Sequence, residues 1–215
     1  MASIVPTILT NDPTVYQQQA GLYPQFAKRI QIDISDGEFV AVPTVTESNI
    51  ALPQNVMVDL HMMVLRPSEH LQQIIALKPS LVIFHAEAAE NLLESINELK
   101  KAGIKTGVAM LKSTYPGRIR AYIEVVDHVM IFAGELGKQG GTADMLQTEK
   151  VSLIRAIRSD VEIGWDGGAN MKTIRAIAHA DIDVVNVGSA IAKAQDPAAA
   201  YGELVKEAER RGVAL

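Results

Sequence analysis

The sequence contains no cysteine, and this absence excludes disulfide bridges, thiolate zinc sites and cysteine nucleophiles together. Any bound metal ion must therefore be held by His, Asp, Glu or Gln side chains. No apolar run reaches the roughly 18 residues that a membrane-spanning helix requires, and no basic and apolar leader opens the chain. We therefore expect a soluble, cytoplasmic protein without a membrane partner.

Clusters of basic residues are also lacking. The 20 Lys and Arg residues are outnumbered by 25 Asp and Glu residues, for a net charge of -5, which argues against a nucleic-acid partner. An anionic ligand would have to be held locally, for instance by backbone amides at a helix N-terminus. Linkers and low-complexity tracts are absent too, and 48% of the 215 residues are apolar. We expect one domain over residues 1–215 with one sizeable core.

Short β-rich apolar runs alternate with segments of helical period along the whole chain, a pattern typical of βα units around a parallel sheet. Eight such units close most simply into a (β/α)8 TIM barrel, whereas an open flavodoxin-like sheet would have about five or six strands. The strands are predicted to begin near Ser3, Arg29, Val56, Leu81, Ile104, Asp127, Val161 and Asp183.

Alternate side chains of a barrel strand point into the barrel and out toward the helices. In strand two, Ile30, Ile32 and Ile34 share one face, so Gln31 and Asp33 should face the interior. The same parity, together with the strand ends, predicts further inward polar residues: Asp59 and His61 on strand three, His85 on strand four and Asp166 on strand seven.

Asp33, His61, His85 and Asp166 should therefore meet at the C-terminal rim, where barrel enzymes place their chemistry. An inward carboxylate is costly to bury without a cation, a proton or several donors. Asp33 and Asp166 are accordingly candidates for proton transfer, and with His61 they could hold a divalent ion. A single inward histidine such as His85 is more often a core residue whose hydrogen bonds are satisfied within the protein. Asp59 is better explained as a structural carboxylate that supports its neighbours.

Glycines mark the loops that follow the last three strands. Because glycine has no side chain, a ligand can come close to the backbone of these consecutive turns, which lead into helices. Barrels commonly bind phosphate at such turns. Each pair alone could equally be a tight βα turn. The glycine-dense segment 134–141 is long for such a turn and is typical of a mobile lid. The three turns contain Gly140 and Gly141, Gly167 and Gly168, and Gly188 and Ser189.

Several ordered motifs resemble the ribulose-phosphate 3-epimerase family over nearly the whole chain. They are Pro-Thr-Ile-Leu at 6–9, Asp-Ile-Ser-Asp-Gly-Glu-Phe-Val at 33–40, Asp-Leu-His-Met-Met-Val at 59–64, Phe-His-Ala-Glu at 84–87, Trp-Asp-Gly-Gly at 165–168 and Val-Gly-Ser-Ala-Ile at 187–191. The resemblance implies a barrel of the ribulose-phosphate-binding type, a homo-oligomer and a role in carbohydrate metabolism through the pentose phosphate pathway.

The resemblance also implies roles for individual residues. Asp33 and Asp166 would be the catalytic pair, and these two with His61 would bind a divalent metal such as Zn, Mn, Fe or Co. No organic cofactor is implied. The residues expected to bind substrate are Thr7, His61, Met63, Gly140, Gly141, Gly167, Gly168, Gly188 and Ser189.

Three departures from the family pattern alter these expectations. Gln31 replaces the histidine that is the fourth metal ligand, and it could offer only a weak amide oxygen, so zinc should bind less tightly. Ser35 and Phe132 replace pocket methionines. The loop after strand six is one residue longer before the paired glycines.

The resemblance implies epimerisation of a ketose phosphate at C3, which converts D-ribulose 5-phosphate to D-xylulose 5-phosphate. Two opposed aspartates would transfer the proton through an enediolate intermediate. The residues leave three alternatives open. One is an epimerase of a ketohexose 6-phosphate such as allulose 6-phosphate. The second is a Schiff-base aldolase that uses Lys112 near the end of strand five. The third is a sugar-phosphate binding protein without catalysis.

Overall fold

A computed structural model describes residues 1–137 and 140–210. Its eight strands pair in parallel with their neighbours in sequence, and the eighth returns to the first, so the predicted closed barrel is confirmed. Every strand begins at the predicted residue or one residue after it. Strands β1 to β8 are Ser3–Ile8, Arg29–Ser35, Met57–Met63, Leu81–His85, Lys105–Met110, His128–Phe132, Glu162–Asp166 and Val184–Val187. Lys138 and Gln139 of the expected lid, and residues 211–215 of the expected domain, lie outside the described residues.

The α-helices surround the barrel, and three of them begin at side-chain caps. The side chains of Asp12, Asn91 and Asp196 each accept a backbone N–H at the start of a helix, as N-cap residues do. No helix among the described residues is both long and apolar enough to cross a membrane. Helices α1 to α8 are Pro13–Leu22, Leu71–Leu77, Leu92–Lys101, Arg120–Ile123, Glu149–Ile157, Ile174–Ala178, Ser189–Ala192 and Pro197–Glu209.

The connection between β2 and β3, residues 36–56, contains no helix. The expectation of a βα unit at every strand is therefore wrong for this one. Pro43 and Pro53 interrupt the segment, and proline disfavours a helix through its missing N–H and its effect on the preceding residue. Val45 and Ile50 nevertheless pack into the core, so the irregular segment covers the barrel as a helix would.

Strand parity separates the two hydrophobic regions of the fold. The isoleucines of β2 are buried in the large shell between strands and helices, as the sequence predicts. Inside the barrel a small apolar cluster of Leu81, Ile83, Ala109 and Met130 fills the middle. Polar side chains are therefore confined to the two ends of the interior.

The N-terminal end of the barrel is closed by a network of ion pairs. Arg29 Nε donates to Asp59 Oδ2 at 2.7 Å, and its two terminal nitrogens donate to both Glu162 oxygens at 2.9 and 2.8 Å. His128 Nδ1 lies 2.7 Å from Glu162 Oε2. Asp59 thus has a structural role, as the sequence favours, and the network ties together β2, β3, β6 and β7.

Gly164 is required beside this network. A Cβ at this position would lie 2.6 Å from His128 Cε1, and His128 is buried and held by Glu162, so the ring cannot easily move away. We predict that Gly164→Ala lowers the free energy of unfolding by about 1–3 kcal/mol through overpacking. Urea denaturation followed by circular dichroism measures the change.

Gly202→Ala is the matched control, because Gly202 lies inside α8 and a Cβ there meets nothing within 4 Å. This substitution should raise the free energy of unfolding by about 0.5–1 kcal/mol, since alanine is the better helix former. Equal effects of the two substitutions would contradict the overpacking argument.

Candidate active site

Asp33, His61, His85 and Asp166 come together at the C-terminal end of the barrel, where strand parity predicts them. Parallel pairing sets Asp33 beside His61. His61 Nδ1 lies 3.0 Å from Asp33 Oδ1 and 3.8 Å from Asp166 Oδ2. Three strands, β2, β3 and β7, therefore supply two carboxylates and one imidazole to a single point.

Gln31 joins the two carboxylates. Its Nε2 donates to Asp33 Oδ1 at 2.9 Å and to Asp166 Oδ2 at 2.6 Å, while its Oε1 is buried without a partner among the described residues. The amide nitrogen, rather than the oxygen that could serve as a metal ligand, therefore faces the two carboxylates in this arrangement. The physical reason is that a carboxylate can only accept hydrogen bonds, so the NH2 end of the amide satisfies both aspartates.

Three of the four expected metal-ligand positions fit a divalent ion. Carboxylate oxygens of Asp33 and Asp166 and a ring nitrogen of His61 all lie within 4.8 Å of one another. Two carboxylate oxygens and one imidazole nitrogen form a donor set used for zinc and for other first-row divalent ions. Gln31 does not complete this set in the orientation observed, because its NH2 group has no lone pair to offer.

Burial and mutual repulsion set the electrostatics of the pair. Burial, and then the charge of Asp33, raise the pKa of Asp166 to about 7. Although burial lowers the pKa of His61, its hydrogen bond to Asp33 and the charges of both aspartates raise it on balance. The site is therefore arranged so that a proton can reside among these groups near neutral pH.

His85 and Glu87 lie behind His61 and define its orientation. His61 Nε2 is 2.8 Å from His85 Nε2, and His85 Nδ1 is 3.4 Å from Glu87 Oε2. Burial lowers the pKa of His85 to about 4, so its ring is neutral and carries one N–H. His85 Nδ1 and Glu87 Oε2 form no hydrogen bond with the described residues, but the nearby charge of Glu87 favours the His85 proton on Nδ1. In that tautomer His85 Nε2 accepts from His61, and His61 Nδ1 faces the aspartates.

Two phenylalanines cover the imidazoles. The Phe39 ring centroid lies 4.9 Å from that of His85, and the Phe132 centroid lies 6.0 Å from that of His61. Phe132 also lines the cavity above the aspartates. Ser35 donates to the Val40 carbonyl. The two aromatic rings limit the access of water to His61 and His85.

The cavity at this end of the barrel includes nearly every residue expected to bind substrate. His61, which is 1% exposed, is the exception and is not among the described residues of the cavity wall. No Lys or Arg is present among the described wall residues. The expected residues that line the cavity are Thr7, Asp33, Met63, Gly140, Gly141, Asp166, Gly167, Gly168, Gly188 and Ser189.

The glycine pair after β7 permits close contact between loops. Gly167 and Gly168 have φ values of 115° and 70°, in the region that favours glycine. A Cβ on Gly167 would lie 2.9 Å from the Ala133 carbonyl carbon, and one on Gly168 would lie 2.6 Å from that of Thr142. The β6 and β7 loops therefore pack backbone against backbone at the cavity wall.

A family model described as the ribulose-phosphate 3 epimerase family matches residues 3–192. The chain belongs to this family. Ribulose-phosphate 3-epimerase from Mycobacterium tuberculosis is 30% identical over 219 residues, covering 95% of this chain and 92% of that protein. The protein of the same name from Schizosaccharomyces pombe is 28% identical over 203 residues, covering 91% and 89%. The resemblance inferred from the motifs is thereby confirmed.

Solved structures outside this epimerase family share the fold. 3-Hexulose-6-phosphate synthase from Salmonella typhimurium superposes with a TM-score of 0.70 at 18% identity, covering 96% of this chain and 98% of that one. KGPDC from Streptococcus mutans superposes with a TM-score of 0.74 at 11% identity, covering 97% of each chain. Fold similarity at such identity does not define chemistry, so the function must be argued from the site.

Lys112 does not fit a Schiff-base site in this epimerase family member. It is exposed in the connection after β5 and is not among the described residues of the cavity wall. Lys150 is buried nearby, but its Nζ donates to the carbonyls of Leu111 and Lys112 at 2.8 and 3.1 Å. Both lysines therefore have simpler structural explanations.

Asn186 is a cavity residue that the sequence reasoning missed. It lies on β8, lines the wall beside Asp166 and is 2% exposed. Its neighbours Val185 and Val187 pack outward into the shell, so parity, the signal that identified Gln31, would also have identified Asn186.

The orientation of His85 can be tested by NMR. We predict that 15N-histidine-labelled protein shows His85 as the Nδ1–H tautomer in long-range 1H–15N spectra at pH 7. Glu87→Ala should shift it toward Nε2–H, because the anion that favours a proton on Nδ1 is removed. Glu90→Ala is the control, since Glu90 bonds to Ser68 rather than to a histidine. An Nε2–H tautomer in the unmodified protein would contradict the assignment.

Proposed function

We propose that this chain epimerises a ketopentose phosphate at C3, interconverting D-ribulose 5-phosphate and D-xylulose 5-phosphate. The observation that carries the proposal is a pair of carboxylates, the buried Asp33 and the partly buried Asp166, which share one hydrogen-bond donor and face the same cavity as three glycine-containing turns. Epimerisation removes a proton from one face of C3 and returns one to the other, and therefore needs two acid/base groups.

Proton transfer in this proposal belongs to the aspartates. The raised pKa of Asp166 supports a state in which one carboxyl is protonated while the other is ionised. The ionised group takes the C3 proton to form a planar enediolate, and the protonated group donates from the opposite face. The two groups exchange roles when the substrate is the other epimer. Phe132 helps to exclude water from the intermediate.

The phosphate would be held by backbone N–H groups. The described wall offers no cationic side chain, but Gly167, Gly168 and Gly188 leave the backbone uncovered by Cβ atoms. Backbone N–H groups in such turns bind phosphate oxygens. This placement puts the phosphate over β7 and β8, with C3 between the aspartates.

A divalent ion would be held by Asp33, His61 and Asp166. When bound, it supplies positive charge that stabilises the enediolate oxygens. His85 and Glu87 contribute by directing His61 Nδ1 toward this position.

The two-aspartate scheme predicts the behaviour of Asp33→Asn and Asp166→Asn. Each should lower the rate of inversion by about 10²–10⁴-fold, since one of two acid/base groups is lost. Each should still exchange the C3 hydrogen of one epimer with solvent deuterium, because one carboxylate remains on one face. Inversion is followed by coupled enzyme assay and deuterium uptake by NMR.

Lys112→Met is the control for these variants. The substitution removes the lysine near the end of strand five that could form a Schiff base. Because Lys112 is exposed, we expect this variant to turn over substrate at the wild-type rate. Inversion near the wild-type rate in either aspartate variant would contradict the two-aspartate scheme. Trapping of substrate on Lys112 by borohydride would favour the aldolase alternative.

Gln31 makes a separate prediction about metal binding. Gln31→His should raise the affinity for zinc by roughly 10–100-fold, because an imidazole is a better zinc ligand than an amide that faces the carboxylates through its nitrogen. Competition with a chromophoric chelator measures affinity without relying on activity. Gln25→His is the control, since Gln25 lies on the surface and donates to the Gly21 carbonyl. Equal zinc affinity of Gln31→His and wild type would contradict this account of Gln31.

A further inference from the structure

Asn186 presents inside the barrel an amide oxygen that has no hydrogen-bond partner among the described residues. Its side chain is almost completely buried, and Oδ1 has no hydrogen bond among the described residues. Buried amides normally have their hydrogen bonds satisfied, and an apolar side chain of similar size would pack here without that cost. In a cavity wall, an amide oxygen that has no partner among the described residues points to a ligand.

The position of Asn186 identifies which part of a ligand it meets. Parallel pairing sets Asn186 beside Asp166, and Gly188 of the third glycine-containing turn follows two residues later on the same strand end. All three line one cavity. Asn186 thus lies between the carboxylate that would act at the reacting carbon and the backbone that would hold the phosphate.

We infer that Asn186 is a specificity-determining residue that hydrogen-bonds the C4 hydroxyl of the ketose phosphate. The inference rests on the proposed function, which sets C3 between the aspartates and the C5 phosphate at the glycine turns. C4 joins these two carbons, and its hydroxyl is the substrate group that falls between Asp166 and Gly188.

The chemistry of the amide matches a hydroxyl. An asparagine side chain donates through NH2 and accepts through oxygen, and a hydroxyl does both as well. A buried polar group that is satisfied only by a substrate hydroxyl discriminates strongly against an analogue that lacks it, because the analogue leaves the group unpaired. Thr7, whose Oγ1 is also buried without a partner among the described residues, lies on the neighbouring strand β1 and is available to a different hydroxyl.

The test compares substrates rather than rates alone. Values of kcat/KM are measured for D-ribulose 5-phosphate, its 4-deoxy analogue and its 1-deoxy analogue with wild type, Asn186→Leu and Asn186→Ala. The alanine variant covers the case in which leucine overfills the site. The 1-deoxy analogue is the control, because its missing hydroxyl lies on the far side of C3 from the phosphate.

Wild type should prefer the parent substrate over the 4-deoxy analogue by roughly tenfold or more. In both variants this ratio should fall toward one, while the ratio of parent to 1-deoxy analogue stays unchanged. If wild type turns over D-ribulose 5-phosphate but both variants keep the wild-type ratio of kcat/KM for the parent and the 4-deoxy analogue, the assignment of Asn186 is overturned. The proposed function is not overturned by that result. Absence of wild-type turnover of D-ribulose 5-phosphate overturns the proposed function and this inference with it.

Discussion

The hydrogen bonds from Gln31 to Asp33 and Asp166 are the interaction on which the rest of the site depends. Two carboxylates that share one cavity repel each other and lose much of the hydration that they have in water. One amide nitrogen offsets both effects, because its two N–H groups reach both carboxylates at 2.9 and 2.6 Å. His61 adds a further contact to the pair, since its Nδ1 lies 3.0 Å from Asp33 Oδ1 and 3.8 Å from Asp166 Oδ2.

Ion pairs at the opposite end of the barrel also help to set the spacing between Asp33 and Asp166. Arg29, Asp59 and Glu162 form ion pairs between β2, β3 and β7 at the N-terminal mouth. These are the strands that carry Asp33, His61 and Asp166 at the C-terminal rim. Since parallel strands keep their register along their length, ion pairs that fix the register at one end help to align the functional side chains at the other.

Sequence reasoning reached the architecture and the inward residues because both depend on periodicity. Alternation along β2 is enough to predict that Gln31 and Asp33 face inward, and the structure agrees. Periodicity does not report how a side chain turns about its last bond, so the orientation of the Gln31 amide was out of reach. The pairing of His85 with Glu87 depends on the path of the loop after β4, which alternation within a strand does not describe.

The amide of Gln31, where the family resemblance implies an imidazole, changes what the site can do with its own atoms. A neutral imidazole has one N–H and one lone pair on different nitrogens, so it cannot bridge two carboxylates by donation from one atom. The Gln31 NH2 group does so. An ion that uses Gln31 as a ligand must therefore break two hydrogen bonds and turn the amide over. The affinity of the site for such an ion therefore depends on the coordination gained minus the two hydrogen bonds lost.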